Sequence, residues 1–184
     1  MNGWLPLALA TVLTMTSLTA QAATVKASSE LREEDGTRHD ASLAFDGLLS
    51  TGWAEGSDDA GEGSWLELRL DSTTDVVSVS IWPGNLADGK QSLKQYGRPR
   101  TVTVTLEGVG EPVIKQVRCE DGALEGPARV DVPIRGEART VRVSLDDVYE
   151  GIVYNDTYIA EVAVNFADGE PHPWVGKIYS WLES

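Results

Sequence analysis

The sequence predicts an all-β domain, an antiparallel two-sheet sandwich or jelly roll. Three observations support this fold class: short runs alternate apolar and polar residues, these runs are rich in β-branched residues, and Gly, Pro or Asp separates them. Because the alternation repeats every two residues, one face of each strand is directed toward a core and the other toward water. About eight such runs are present, which suits a closed sandwich.

The strands are predicted from the alternation in each run. The first lies near Thr24–Ser28, and in Trp65–Leu70 the leucines at 66, 68 and 70 share one face. Val76–Trp82 repeats the pattern with Val77, Val79 and Ile81. The remaining predicted strands are Thr101–Leu106, Val113–Cys119, Arg129–Ile134, Thr140–Leu145 and Tyr158–Phe166. Together they form one predicted domain over residues 23–166.

Two connections are longer than hairpins require, Pro83–Pro99 and Asp146–Thr157. Both contain aromatic and charged residues, and long loops on a rigid sandwich are where binding usually occurs. The first also holds Lys90, Lys94 and Arg98. This basic cluster is equally consistent with a binding site and with a solvated loop tip.

Residues 1–22 have the features of a secretory signal peptide. They contain no charged side chain, have an apolar centre and end in Ala20-Gln21-Ala22, a small-x-small cleavage pattern. The apolar run is too short and too rich in Thr for a membrane span. We therefore expect a cleaved leader and a periplasmic or secreted protein.

The chain is strongly acidic, with a formal net charge of −14 over 184 residues. This charge argues against nucleic acid and anionic membranes as partners and favours a divalent cation or a basic partner. Cys119 is the only cysteine, so no internal disulfide forms, and we expect a buried, inert thiol. We expect a monomer.

The segment Ala41–Trp53 combines a turn of predicted helix with Asp46, Gly47 and Thr51. One carboxylate, one hydroxyl and a tightly wound backbone can supply oxygen ligands to a hard cation such as calcium. Glu161, in the last predicted strand, is the second carboxylate we propose for such a site. The residues alone also allow an ordinary Asp-Gly turn and a solvated Glu161.

Several short motifs occur in a defined order between Val25 and Phe166. They are Ala27-Ser28-Ser29, Thr51-x-Trp53-x-Glu55-Gly56, Gly61-x-Gly63-x-Trp65, Tyr96-Gly97-Arg98, Val148-Tyr149-x-Gly151 and Asp156-Thr157-x-Ile159-x-Glu161. In this order they resemble the discoidin domain, also called the coagulation-factor type C or galactose-binding-like domain. The resemblance is closer to the translocation domain first described in a bacterial NAD glycohydrolase.

The resemblance implies an eight-stranded jelly-roll sandwich and, as in many relatives, one structural calcium ion. Carried onto this chain, the calcium ligands are Leu43, Asp46, Leu48, Thr51, Ala160 and Glu161. The side chains that the family pattern requires are all present. The resemblance therefore favours the calcium site over the ordinary turn.

Because discoidin-like domains bind different ligands through their loops, the fold does not name the ligand. A sugar site would need an exposed aromatic platform with polar neighbours. The candidate ligand-binding residues are Trp82, Asn85, Tyr96, Arg98, Tyr149 and Tyr154, whereas Trp53 and Trp65 are assigned to packing.

The C-terminal tail, residues 167–184, has no counterpart in the family pattern. Trp174, Ile178, Trp181 and Leu182 follow the spacing of a short amphipathic helix. Such a helix is marginal alone and must dock, either on its own sandwich or on a partner.

An enzyme is not expected, because neither histidine lies in a nucleophile or metal motif and paired catalytic acids cannot be identified. The predicted function is a non-catalytic recognition module for a glycan or an envelope or cell-surface ligand. The alternative is a protein-binding partner, such as a periplasmic inhibitor or immunity protein of a secreted toxin or enzyme.

Overall fold

The computed structural model describes residues 23–121 and 129–168. Its strands are β1 (Thr24–Ala27), β2 (Trp53–Ala54), β3 (Trp65–Pro83), β4 (Arg98–Glu107), β5 (Val113–Arg118), β6 (Val130–Val132), β7 (Gly136–Tyr149) and β8 (Tyr158–Phe166). A 3-10 helix (Ala41–Phe45) precedes β2, and a short helix α1 (Lys90–Gln95) lies between β3 and β4. The expected signal peptide and residues 169–184 of the tail lie outside the described residues.

The described strands pair antiparallel in the order β2-β8-β3-β7-β4-β5, with β1 and β6 also paired to β3. This confirms the prediction of an eight-stranded all-β sandwich. The predicted helical turn at Ala41 is the 3-10 helix, which begins after Asp40 and ends before Asp46.

Strand β3 joins the two layers of the sandwich. Its first part, Trp65–Arg69, pairs with β1 and β7, whereas its second part pairs with β6 and β8. The register shifts between Arg69 and Thr74, and Val76 has partners in both β7 and β8. The sequence predicted two strands here, because the polar residues after Leu70 are typical of a turn.

The core consists of the inward residues of both layers. Leu66, Leu68 and Ile81 of β3 pack in the same cluster as Val104 of β4 and Val162 of β8, and all are at most 1% exposed. Burial of each such side chain contributes about 1.5–3 kcal/mol. This packing fixes the ends of the strands, where the candidate sites lie.

The strands differ from the predicted ones at several places. Strand β7 extends to Tyr149, which shortens the second long connection to residues 150–157. The two-residue strand β2 was not predicted, and Cys119 follows β5 rather than ending it. Cys119 is buried as expected, and its burial raises the pKa of the thiol to about 11.

No helix within the described part of the chain is long and apolar enough to cross a bilayer.

Candidate functional site

The loop after the 3-10 helix is wound around the carboxylate of Asp46. The backbone N–H of Leu48 donates to Asp46 Oδ1 at 2.8 Å, and the Thr51 hydroxyl lies 2.8 Å from Asp46 Oδ2. Gly47 has φ of 79°, a conformation that favours glycine. The Thr51 hydroxyl is also 2.9 Å from the carbonyl oxygen of Leu48. We call residues 46–51 the Asp46 loop.

Glu161 of β8 reaches this loop from the far end of the sequence. The backbone N–H of Gly47 donates to Glu161 Oε2 at 2.9 Å, and Glu161 is fully buried. Its Oε1 atom is buried and has no hydrogen-bond partner among the described residues. The structure thus brings Asp46 and Glu161 together, as the sequence analysis expected.

The burial of Glu161 makes its charged form unfavourable. Desolvation, and to a smaller extent the negative charge of Asp46, raise the pKa of Glu161 to about 8. Buried carboxylates ordinarily have a cation or hydrogen-bond donors at each oxygen. The Oε1 atom of Glu161 thus has no donor among the described residues, and the carboxylate lies near that of Asp46.

The donor set of the Asp46 loop fits a hard cation. Two carboxylates and the Thr51 hydroxyl come together with the backbone carbonyl oxygen of Leu48, and oxygen is the ligand that calcium prefers. No group of three or more His, Cys, Asp or Glu side chains that could hold a metal occurs in residues 23–121 and 129–168. A cation here would therefore depend on backbone and hydroxyl oxygens as well as on the two acids.

A second feature is an open cleft of about 570 Å³ at the ends of β4 and β7. Its lining includes acidic and basic side chains and one aromatic ring. The lining residues are Asp59, Ala60, Glu62, Arg98, Arg100, Asp147, Val148, Tyr149 and Glu150. We call this space the cleft. The register of β4 on β7 places Arg98 opposite Tyr149, so the two side chains meet by strand pairing.

The guanidinium groups of the cleft are held in place by acids. Arg98 donates from Nε and from a terminal nitrogen to Asp121, both at 2.8 Å, and Arg100 forms the same two-bond pair with Asp147. These bonds hold the pKa of Asp147 below its usual range. The guanidinium carbons of Arg98 and Arg100 lie 5.3 and 5.6 Å from the centre of the Tyr149 ring.

Glu55 fixes one wall of the cleft. It is fully buried, accepts from the backbone N–H of Ser57 at 2.8 Å and of Thr157 at 3.2 Å, and is hydrogen-bonded to the Ser57 hydroxyl. The Thr157 hydroxyl donates to the carbonyl oxygen of Ala60 at 2.8 Å. We call this arrangement the Glu55 clasp. It ties the loop that carries Asp59 to the start of β8.

The six predicted ligand-binding residues do not form one platform. Trp82 is 3% exposed and packs with Ala160 and Ala163, so the expectation of an exposed indole is wrong. The second part of β3 is covered on both faces, and neighbouring Ile81 and Trp82 are therefore both buried. Arg98 and Tyr149 lie in the cleft.

Tyr96 and Tyr154 form a separate aromatic pair beside the loop between β7 and β8. Their rings are stacked, with centroids 4.7 Å apart, and Tyr154 is 47% exposed. Asn85 lies elsewhere, in a smaller pocket of about 230 Å³. The predicted partner-binding residues Trp174, Ile178, Trp181 and Leu182 lie outside the described residues.

Sequence reasoning did not select Arg100 and Asp147, which line the cleft, or Glu55, which supports its wall. Arg100 and Asp147 are 47 positions apart and meet only through the pairing of β4 with β7. Glu55 was part of the motif Thr51-x-Trp53-x-Glu55-Gly56, and this position was the available signal for the clasp.

Comparison with known protein families identifies the family of this chain. The family of the NAD glycohydrolase translocation F5/8 type C domain matches residues 17–165. The chain belongs to this family. The match covers most of the sequence and confirms the discoidin-like resemblance. No curated protein sequence matches this translocation-type domain.

Several solved structures similar to this translocation-type domain are carbohydrate-binding modules. The family 32 module of C. perfringens NanJ, in complex with galactose, has a TM-score of 0.55 and 18% identity, over 77% of this chain and 92% of that one. A pectin-binding module has a TM-score of 0.53 and 21% identity, over 81% and 94%. Chitosan-binding module 1 from a Paenibacillus sp. IK-5 chitosanase/glucanase has a TM-score of 0.53 and 22% identity, over 79% and 95%. These similarities establish the shared fold.

Proposed function

We propose that this protein is a non-catalytic recognition module, secreted or periplasmic, that binds a glycan or a surface ligand in the cleft. The observation that carries the proposal is the cleft itself, where a tyrosine ring and two positioned guanidinium groups border an open space of about 570 Å³. Ligand sites combine an apolar surface with a few fixed polar groups in the same way.

The chemistry of the cleft suits carbohydrate. Sugar hydroxyls both donate and accept, and the cleft offers carboxylate oxygens beside guanidinium N–H groups. Because Asp121 and Asp147 hold the two arginines, little side-chain entropy is lost when a ligand binds. Three solved structures of this fold are described as binding galactose, pectin and chitosan, which supports the same ligand class here.

The charge of the cleft favours uncharged or cationic glycans. Four carboxylates line it, Asp59, Glu62, Asp147 and Glu150, and both of its arginines are already ion-paired. The whole chain carries a net charge of −14, so an anionic polysaccharide would be repelled.

The described residues offer no support for catalysis. His39 is hydrogen-bonded to Glu33 Oε1 at 3.3 Å, and the raised pKa of Cys119 keeps this thiol protonated at neutral pH. A role in binding alone therefore fits the described chemistry.

The proposal includes a structural calcium ion held by Asp46, Thr51 and Glu161, with the carbonyl oxygens of Leu43, Leu48 and Ala160. When bound, the ion supplies the positive charge that compensates for two adjacent carboxylates. The residues of this chain prepare that position: Gly47 N–H holds one oxygen of Glu161, and the Thr51 hydroxyl holds Asp46.

A glycan array with purified protein tests the cleft. The wild-type protein is expected to bind at least one neutral or amino-sugar glycan, and Tyr149→Ala and Arg100→Ala are expected to lose that signal. Arg142→Ala is the matched control, because Arg142 is ion-paired with Glu67 and lies over Trp65, outside the cleft. Absence of any glycan signal, or equal signals from all four proteins, would overturn the proposal.

A further inference from the structure

A smaller pocket, separate from the cleft, lies beside the Asp46 loop. It has a volume of about 230 Å³ and is bordered by His39, Leu43, Thr51, Asn85 and Tyr158. We call it the Tyr158 pocket. It shares no lining residue with the cleft.

The hydroxyl of Tyr158 has an unmet capacity for hydrogen bonds. Tyr158 is 2% exposed, and its hydroxyl has no hydrogen-bond partner among the described residues. Because buried polar groups are nearly always paired, this hydroxyl points to a ligand.

The Tyr158 ring is held by two aromatic neighbours. It packs edge-on against His39, with centroids 5.0 Å apart, and at a tilt against Tyr96, at 4.8 Å. These contacts fix the position of the ring. A substitution that removes only the hydroxyl would keep this packing.

Asn85 supplies a second polar group. Its Oδ1 accepts from the backbone N–H of Ala87 at 3.0 Å, which orients the side chain. The amide NH₂ is consequently the part of Asn85 that can donate to a ligand.

The described residues that line the pocket present no unpaired charge that could recognise an ion. None of the described residues that line it is a carboxylate. Its one arginine, Arg38, is paired with Asp40 at 2.8 Å, and His39 is paired with Glu33. An uncharged ligand with hydroxyl groups matches this lining better than a uronic acid or an ammonium group does.

We propose that the Tyr158 pocket binds a single uncharged sugar residue, with the Tyr158 hydroxyl and the Asn85 amide as its hydrogen-bonding groups. The volume is below the range of roughly 300–1,000 Å³ typical of sites for larger ligands, which favours one ring over a chain. The proposal rests on the proposed function, because it takes the ligand to be a carbohydrate. It adds a second site with its own size and charge preference.

Titration with monosaccharides tests this site. Galactose, glucose and N-acetylglucosamine are the neutral probes, with galacturonate and glucosamine as charged ones, and binding is followed by calorimetry at constant calcium. We expect at least one neutral sugar to bind and the charged analogues to bind more weakly. Tyr158→Phe is expected to reduce the affinity about tenfold, the effect of losing one buried hydrogen bond. Asn85→Ala should act in the same direction.

The outcomes separate the two proposals. If Tyr149→Ala loses the glycan of the array but keeps monosaccharide binding, the two sites are independent. If the wild-type protein binds a glycan in the cleft but no monosaccharide, or if Tyr158→Phe binds the sugar as the wild type does, the pocket proposal is wrong and the cleft proposal stands. Circular dichroism of Tyr158→Phe checks that the fold is retained, and Asn85→Ala provides a second variant if it is not.

Discussion

The Asp46 loop and the cleft are both built from acids and their partners, but they differ in how completely those acids are paired. In the Asp46 loop, Glu161 is fully buried and one of its oxygens has no partner among the described residues. In the cleft, Asp147 is a third exposed and fully engaged by Arg100. Burial thus disfavours the charged form of Glu161 in the first region, whereas the charge of Asp147 in the second region is compensated by an arginine.

The largest expected effect is that of calcium on stability. At a free calcium concentration 1,000 times the Kd, binding to the native state alone adds about 4.1 kcal/mol to the free energy of unfolding. Asp46→Ala is expected to abolish this response in thermal melts with calcium and with chelator. Asp131→Ala, an exposed acid paired with Arg129, should respond as the wild type does. If the melting temperature of the wild-type protein is the same with calcium and with chelator, the proposed calcium site is wrong.

The second effect is a pH dependence that exists only without calcium. Since the pKa of Glu161 is raised to about 8 in the folded protein, against 4.5 ordinarily, the folded state binds more protons between these values. The stability of the calcium-free protein should therefore fall as pH rises from 4.5 to 8, by roughly 3 kcal/mol at pH 7 from this group.

Denaturant unfolding of wild type and Glu161→Gln across this pH range measures that contribution. The variant is expected to be more stable than the wild type above pH 7 without calcium, and less stable with it. Parallel pH profiles for the two proteins would contradict a buried, uncompensated Glu161.

The third effect concerns the Glu55 clasp. Glu55→Ala leaves the N–H groups of Ser57 and Thr157 without their acceptor and should lower the free energy of unfolding by about 2–3 kcal/mol. Glu55→Gln keeps one acceptor oxygen and should lose less. Chemical denaturation measures both, and equal stability of Glu55→Ala and the wild type would show that the clasp does not hold the cleft wall.

The smallest effect is expected in the cleft itself. Arg100 is 40% exposed, and a solvent-exposed ion pair contributes at most about 1 kcal/mol. Arg100→Ala should therefore change stability as little as Arg142→Ala does while changing glycan binding. If Arg100→Ala lowers the free energy of unfolding as much as Glu55→Ala does, the Arg100–Asp147 pair stabilises the fold and is not a ligand-binding surface.

Alternation predicted the fold class but not the path of β3. The polar residues Asp71 to Thr74 are typical of a turn, yet the strand continues through them with a shift in register. This continuation explains the error at Trp82, because a strand covered on both faces buries adjacent residues that a period of two would separate.

The two candidate sites differ in how far the sequence could predict them. The pairing of Asp46 with Glu161 followed from the family pattern, since spacing alone allowed a solvated Glu161. The pairing of Arg100 with Asp147 depends on the register between β4 and β7, which no local pattern encodes. Arg98 and Tyr149 were chosen for their loop positions, and the structure places both in the cleft.

The segment Thr157–Glu161, which begins one residue before β8, contributes to three separate sites within five positions. Thr157 secures the Glu55 clasp, Tyr158 borders the small pocket, and Glu161 meets the Asp46 loop. A shortened protein that stops before this segment would lose all three together. A one-residue slip of β8 would point these side chains to the opposite faces and have the same result. Any minimal version for engineering must therefore retain the final strand in its native register.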